Sequence, residues 1–174
     1  MLMLRVMAAL LEYPQAELLE ALPEMRQVIL EDVDVTPVDR GVLNAFFDHF
    51  SATPLLDMQA AYVQTFDLVP EHSLHLTHHL FGDENGRGPA LIDLTEYYKS
   101  FGFEPVADEL PDYLPLVLEF AAQLDVDEGR VFLSRITKVL TQLAINLETA
   151  ESVYAPLIRV LERQTHLAPM LADI

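Results

Sequence analysis

The sequence predicts an all-α protein, a single-domain bundle of about eight or nine helices. Three observations carry that prediction. Only six of the 174 residues are glycine, and β-branched residues rarely alternate with polar ones, so the period-two pattern of strands is missing. Apolar residues recur instead at steps of three and four. Prolines 14, 37, 54, 70, 89, 105 and 111 fall near the joins between such stretches, where a residue that interrupts a helix belongs.

The elements follow in order. The start, Met1 to Leu11, is apolar around Arg5 and predicts a helix over 2–12. It is too short to span a bilayer, and without a basic leading region or a small-residue cleavage site it does not read as a signal peptide. Helices over 15–31 and 37–50 are separated by the break at Pro37. Leu55, Met58, Tyr62 and Phe66 share one face and predict 55–68. A helix over 71–81 ends at Gly82, a natural C-cap, and the next begins at Pro89 and runs over 89–101. Asp112 reads as the N-cap of 113–124, with Pro115 tolerated in its first turn. Phe132, Ile136, Val139, Leu143 and Leu147 keep one face through 128–148. Val153, Leu157, Ile158 and Leu161 do so over 152–166. No linker is long enough to divide 1–174 into two domains.

Composition narrows the function. Half the residues are apolar, enough for a core and too many for intrinsic disorder. Against 28 acids stand eight Arg and two Lys, a net charge of −18. A nucleic-acid partner needs clustered positive charge, and anionic membrane surfaces need the same, so both are disfavoured, as is membrane insertion. A cationic partner is the electrostatic complement. The absence of Cys excludes disulfides, Cys-ligated zinc, iron–sulfur clusters and thiol nucleophiles. The expected location is the cytoplasm.

Three segments carry chemistry. The first, 68–88, holds His72, His75, His78 and His79. On one continuous helix His72, His75 and His79 share a face, which suits zinc; packing in the bundle is the competing reading, and the one favoured in the absence of HExxH. The second, Gly82-Asp83-Glu84-Asn85-Gly86-Arg87-Gly88, lacks the Lys and the preceding strand of a phosphate loop and reads as a helix end and a turn. The third runs from Leu110 to Phe120. Asp112 and Glu119 lie two turns apart on one side of a helix. They suit acid–base work or a Lys or Arg on a peptide. Charge favours the peptide: Glu104, Asp108, Glu109, Asp112, Glu119, Asp125, Asp127 and Glu128 lie between Lys99 and Arg130 with no base among them. They flank an apolar helix with Leu114, Val117, Leu118 and Phe120, and such a groove suits a helical segment apolar on one side and basic on the other.

Five segments in order carry a family resemblance: Leu10-Leu11-Glu12-Tyr13-Pro14, Tyr62-Val63-Gln64-Thr65-Phe66-Asp67, Ser73-Leu74-His75-Leu76-Thr77, Gly82-Asp83 with Arg87-Gly88 and Ala90-Leu91, and Glu109 through Phe120. Together they resemble the NarJ family, the assembly chaperones of respiratory nitrate reductase, over about residues 4 to 165. The resemblance implies an all-helical fold shared with the TorD and DmsD chaperones and no catalysis. It implies a partner, the basic amphipathic N-terminal segment of the apo catalytic subunit, with cofactor-biosynthesis proteins as further candidates. It also implies assistance in inserting a molybdenum bis-pterin guanine dinucleotide cofactor before membrane docking, with no cofactor or metal held stably. Tyr62, Phe66 and Asp67 match the family's Y-x-x-x-F-D helix, and Asp112 and Glu119 match the acids of its P-D-H-L-x-x-x-L-E-F stretch. The family's His is Tyr113 here, and His75, His78 and His79 stand where relatives carry aromatics, which supports packing over metal. The expected peptide site is therefore Tyr62, Phe66, Asp67, Asp112, Tyr113, Leu114, Leu118 and Glu119. Chaperones of dimethyl sulfoxide, trimethylamine oxide or selenate reductases, and a His-ligated metalloprotein, are the alternatives.

Overall fold

The computed structural model describes residues 1–82, 85–104 and 109–166. Among these residues there are ten α-helices and no strand. At the centre α1 (Leu2–Leu11) packs along α7 (Leu114–Gln123). Arg5 is the one charged side chain of α1, and Glu119 that of α7. Helices so nearly apolar all round are stable only inside a protein, and only Glu119 and Gln123 of α7 escape burial.

α2 (Ala16–Glu31) and α3 (Pro37–Ala52) form a hairpin beside α1. Thr36 starts α3 by accepting the Asp39 N–H at 3.1 Å, with Pro37 in the first turn. The guanidinium of Arg40 donates to the carbonyls of Ile29, Asp32 and Val35, satisfying acceptors that the end of α2 leaves open. α4 (Leu55–Tyr62) passes into a π-helical turn, Val63–Asp67, and a 3₁₀ turn, Pro70–His72. α5 (Leu76–Phe81), α6 (Arg87–Ser100), α8 (Val126–Ser134), α9 (Thr137–Thr149) and α10 (Ala155–His166) complete the bundle. α10 lies along α9, and Arg163 reaches the buried carboxylate of Asp39 on α3.

Two aromatic clusters fill the interior. Phe46, Phe50, Tyr62 and Phe66 gather on Tyr154. Tyr97, Tyr98, Phe101, Phe103 and Phe132 surround Phe120.

The fold class and most elements match the sequence reading; three expectations need correction. The helix expected over 55–68 changes to π geometry after Tyr62. The helix expected over 71–81 is a 3₁₀ turn and a short α5 separated by extended backbone at Ser73 and His75. The helix expected over 128–148 is two helices. Arg135 and Ile136 donate to Phe132 and Leu133, three residues back, while the Ser134 and Thr137 hydroxyls bond nearby carbonyls; such local bonds compete with the helical ladder. Gly82 ends α5 as expected, with φ +55° and its N–H on the His78 carbonyl at 2.8 Å. The Pro105 break, Asp108, and Asp83 and Glu84 of the glycine-rich loop lie outside the described residues. Among those described, no helix is long and apolar enough to cross a membrane.

Candidate functional site

Tyr62 and Phe66 close α4 and its π turn, and π turns recur at functional positions. Their rings meet edge to face at 4.9 Å, and both press on Tyr154. The Tyr62 hydroxyl donates to the Leu11 carbonyl at 3.0 Å. Having one proton, it must accept from the Tyr113 hydroxyl, 2.9 Å away. This relay joins the end of α1, the π turn and the start of α7. Burial first, and then Tyr113, pushes the Tyr62 pKa far above the ordinary phenol value. Burial also raises Tyr113, to about 12, with Glu12, Glu109 and Asp67 adding to it against the hydrogen bond to Tyr62. Asp67 itself is exposed at the end of the π turn. Tyr62→Phe is expected to cost about 1–2 kcal/mol in urea denaturation, since it strips the Leu11 carbonyl of a buried partner.

Asp112 does not cap α7, as the sequence suggested. That helix starts at Tyr113 without a side-chain cap. The carboxylate turns inward, and its Oδ2 accepts the N–H and hydroxyl of Thr77, at 2.9 and 2.5 Å, in the first turn of α5. It is an N-cap supplied across the fold. Backbone bonds from Leu76 to the Asp112 carbonyl and from Leu114 to the Leu74 carbonyl fix the same junction, around a bridge between His75 and Tyr113. Burial alone would raise the Asp112 pKa; His75 and the two Thr77 donors outweigh it and hold the carboxyl below its ordinary value of 3.8. His75 Nδ1 faces Oδ1 at 3.5 Å, a longer contact than the two from Thr77.

A depressed carboxylate stabilises the fold fully well above 3.8, and that contribution is lost as pH falls through the lower folded value. Asp112→Asn is therefore expected to lower stability at pH 7 and to flatten the acid limb of a stability–pH profile measured by chemical denaturation.

The histidines do not share a face. His72 Nδ1 bonds the Thr65 carbonyl at 3.0 Å, His79 Nε2 bonds the Ser73 carbonyl at 2.7 Å, and His75 faces Asp112. The extended backbone around Ser73 and His75 separates them. Among the described residues no three metal-binding side chains converge.

The surface opens elsewhere. Glu12, Tyr13, Glu109, Tyr113, Leu116 and Glu119 line a hollow of about 320 Å³ where the end of α1 meets α7. No basic side chain lines it. Burial, then Glu119 and Glu109, hold the Glu12 carboxyl above its ordinary value. The hollow shares Glu12 and Tyr13 with a second one, floored by Ala9, Leu18 and Ala21. That one shares Ala21 and Met25 with a third, beside Leu2 and Arg5. A trough with an acidic end and an apolar floor thus follows α1 and α2.

Of the residues singled out from sequence, Tyr113 and Glu119 line this trough. Tyr62 stands behind Tyr113, and Phe66 stands behind Tyr62. Leu114 and Leu118 are fully enclosed, and Asp112 is committed to α5. Glu12, Tyr13, Glu109 and Leu116 appear in the sequence reading only within the family segments or the acidic run and were left out of the expected site. Tyr113, Leu116 and Glu119 follow a three-residue step that could have marked one face of α7, but the meeting of that face with the end of α1 is tertiary.

The model of the nitrate reductase delta subunit family matches residues 11–158. The chain belongs to that family. It is 35% identical over 168 residues to the nitrate reductase molybdenum cofactor assembly chaperone NarJ of Escherichia coli K12, covering 97% of this chain and 71% of that protein. It is 33% identical over 155 residues to the Bacillus subtilis protein named "Probable nitrate reductase molybdenum cofactor assembly chaperone NarJ", covering 89% and 83%. These delta-subunit-family relatives are named as chaperones, a non-enzymatic role. The family match includes Glu12, Tyr13 and the whole of α7, so both walls of the acidic hollow belong to the shared domain.

Proposed function

We propose that this protein is an assembly chaperone of a respiratory nitrate reductase. It grips the basic N-terminal segment of the apo catalytic subunit in the cytoplasm and keeps that subunit open for molybdenum cofactor insertion before membrane docking. It performs no covalent chemistry and holds no cofactor stably; cofactor-biosynthesis proteins are its further partners. The names of the relatives favour a nitrate reductase over other molybdenum reductases.

The observation that carries the leader-binding part is the acid-ended trough. An amphipathic helix presents apolar side chains every three to four residues, and the floor at Ala9, Leu18 and Ala21 offers them a shallow apolar track. Lys or Arg at one end of that helix would meet Glu12, Glu109 and Glu119, beside the rings of Tyr13 and Tyr113. Glu119, Tyr113 and the exposed Asp67 act at the surface in this reading. Tyr62, Phe66, Asp112, Leu114 and Leu118 act from beneath, by fixing where Tyr113 and α7 stand.

The functional test is the molybdenum content of the reductase purified from cells with and without this chain. The expected result is that catalytic subunit accumulates without molybdenum when the chain is missing. Full loading in its absence would exclude the proposal.

A further inference from the structure

We propose that the trough takes its client helix in one direction, N-terminal end at Glu12 and C-terminal end at Arg5, and so selects segments whose basic residues lie in the first turn. The inference deepens the reading of the trough as the leader site and rests on it.

The trough is a track between two stripes. Of α1 only Leu2, Arg5 and Ala9 escape burial. They step by three and four along one side of the helix, and each lines the trough. Leu18, Ala21, Met25 and Val28 repeat that step on α2 opposite them. Leu2 shares its hollow with Val28, and Glu12 shares its hollow with Leu18. The two helices therefore run antiparallel, and their backbone dipoles largely cancel. From Leu2 to Glu12 the track is about 15 Å long at the helical rise per residue, room for an occupant of about ten residues.

Side-chain charge distinguishes the two ends. Where α1 finishes, Glu12, Glu109 and Glu119 line the hollow and Glu17 stands just beyond, with no base among them. At the other end one carboxylate, Glu24, is offset by one base, Arg5. Arg5 is exposed and forms no salt bridge with any described residue, so its charge is open to an occupant. The potential thus grows more negative along the track toward Glu12.

A helix is itself polar, with about half a positive charge at its N-terminus and about half a negative charge at its C-terminus. Laid with its N-terminus at Glu12, an occupant sets its positive end among the carboxylates. Its last carbonyls then lie beside Arg5, whose guanidinium can donate to them. The reverse direction sets those carbonyls against the carboxylates. Basic residues in the first turn disfavour a free helix, but among these acids they become favourable.

The test uses two amphipathic peptides of leucine and alanine, blocked at both ends and stapled on the outer face so that their free helicity is equal. One has two arginines in its first turn, the other has them in its last. By fluorescence anisotropy the first should bind the full chain about fivefold more tightly, since charge and dipole then act together. Direction is read by disulfide exchange. The chain has no cysteine, so Gln15→Cys at the acidic end and Leu2→Cys at the Arg5 end each give a unique thiol. The first-turn peptide with a cysteine at its first residue should couple to Gln15→Cys about tenfold more than to Leu2→Cys, and with a cysteine at its last residue the order should invert. Arg5→Glu, which makes both ends acidic, should reduce that ratio severalfold. Equal coupling at both ends, the opposite order, equal affinity of the two peptides, or a ratio indifferent to Arg5→Glu would each overturn the directional reading while leaving the trough in place. Failure of both peptides to bind would overturn the trough and the direction together.

Discussion

Replacing Glu12 and Glu119 together by glutamine is expected to weaken binding of a basic leader peptide by up to about thirtyfold, because each of the two exposed charge pairs contributes up to about 1 kcal/mol. The same protein should melt at a higher temperature at pH 7. Glu12 has a folded pKa above its ordinary 4.5, caused by burial and then by Glu119 and Glu109. A carboxyl raised in the folded state favours folding below its unfolded pKa, and that contribution is lost as pH rises through the folded value. At pH 7 the ionised group is thus a net cost, which glutamine removes. The gain in melting temperature should vanish below about pH 4, where the wild-type Glu12 carboxyl is protonated in both states. A double variant that binds more weakly yet is more stable is the pattern of a site kept for a partner rather than for the fold. Calorimetric melting and peptide titration on one preparation read both effects.

Phe120→Ala should produce the largest loss of stability, about 3–5 kcal/mol in urea denaturation. Phe120 has no exposed surface. It stands 4.5 Å from Tyr98, 5.0 Å from Phe132, 5.4 Å from Phe103, 5.7 Å from Phe101 and 5.8 Å from Tyr97, ring centre to ring centre. Four of those rings lie on α6 or within three residues of its end, and α6 has little other burial. Hydrogen exchange should therefore quicken in α6 more than in α9 and α10, whose packing on each other does not involve Phe120. Uniform quickening across all three helices would show that α6 is anchored elsewhere.

Much of this fold was legible in the sequence because its signals are local. The stripe Leu55, Met58, Tyr62, Phe66 needed only helical spacing to place two aromatic rings on one side, and they do meet. Gly82 needed only its freedom at positive φ to end a helix. The failures were tertiary or came from competing short-range bonds. The stripe from Phe132 to Leu147 gave no hint that the hydroxyls of Ser134 and Thr137 would help divide it. The histidines shared a face only on the assumption of an unbroken helix, which the junction with Tyr113 and Leu114 does not allow. Asp112 has the residue type and position of a local cap, and its oxygen instead serves a helix 35 residues earlier. Glu12 looked like one acid among many, because nothing within its own segment shows that Glu109 and Glu119 stand beside it.

Titration of the catalytic subunit's N-terminal segment into the purified chain across a salt series tests the central claim most directly. The trough predicts a one-to-one complex whose affinity falls as ionic strength rises, because the carboxylates at its end are exposed and screened. It also predicts a salt-resistant remainder from the apolar floor. No binding at low salt, or an affinity indifferent to salt and to the loss of Glu12 and Glu119, would contradict it.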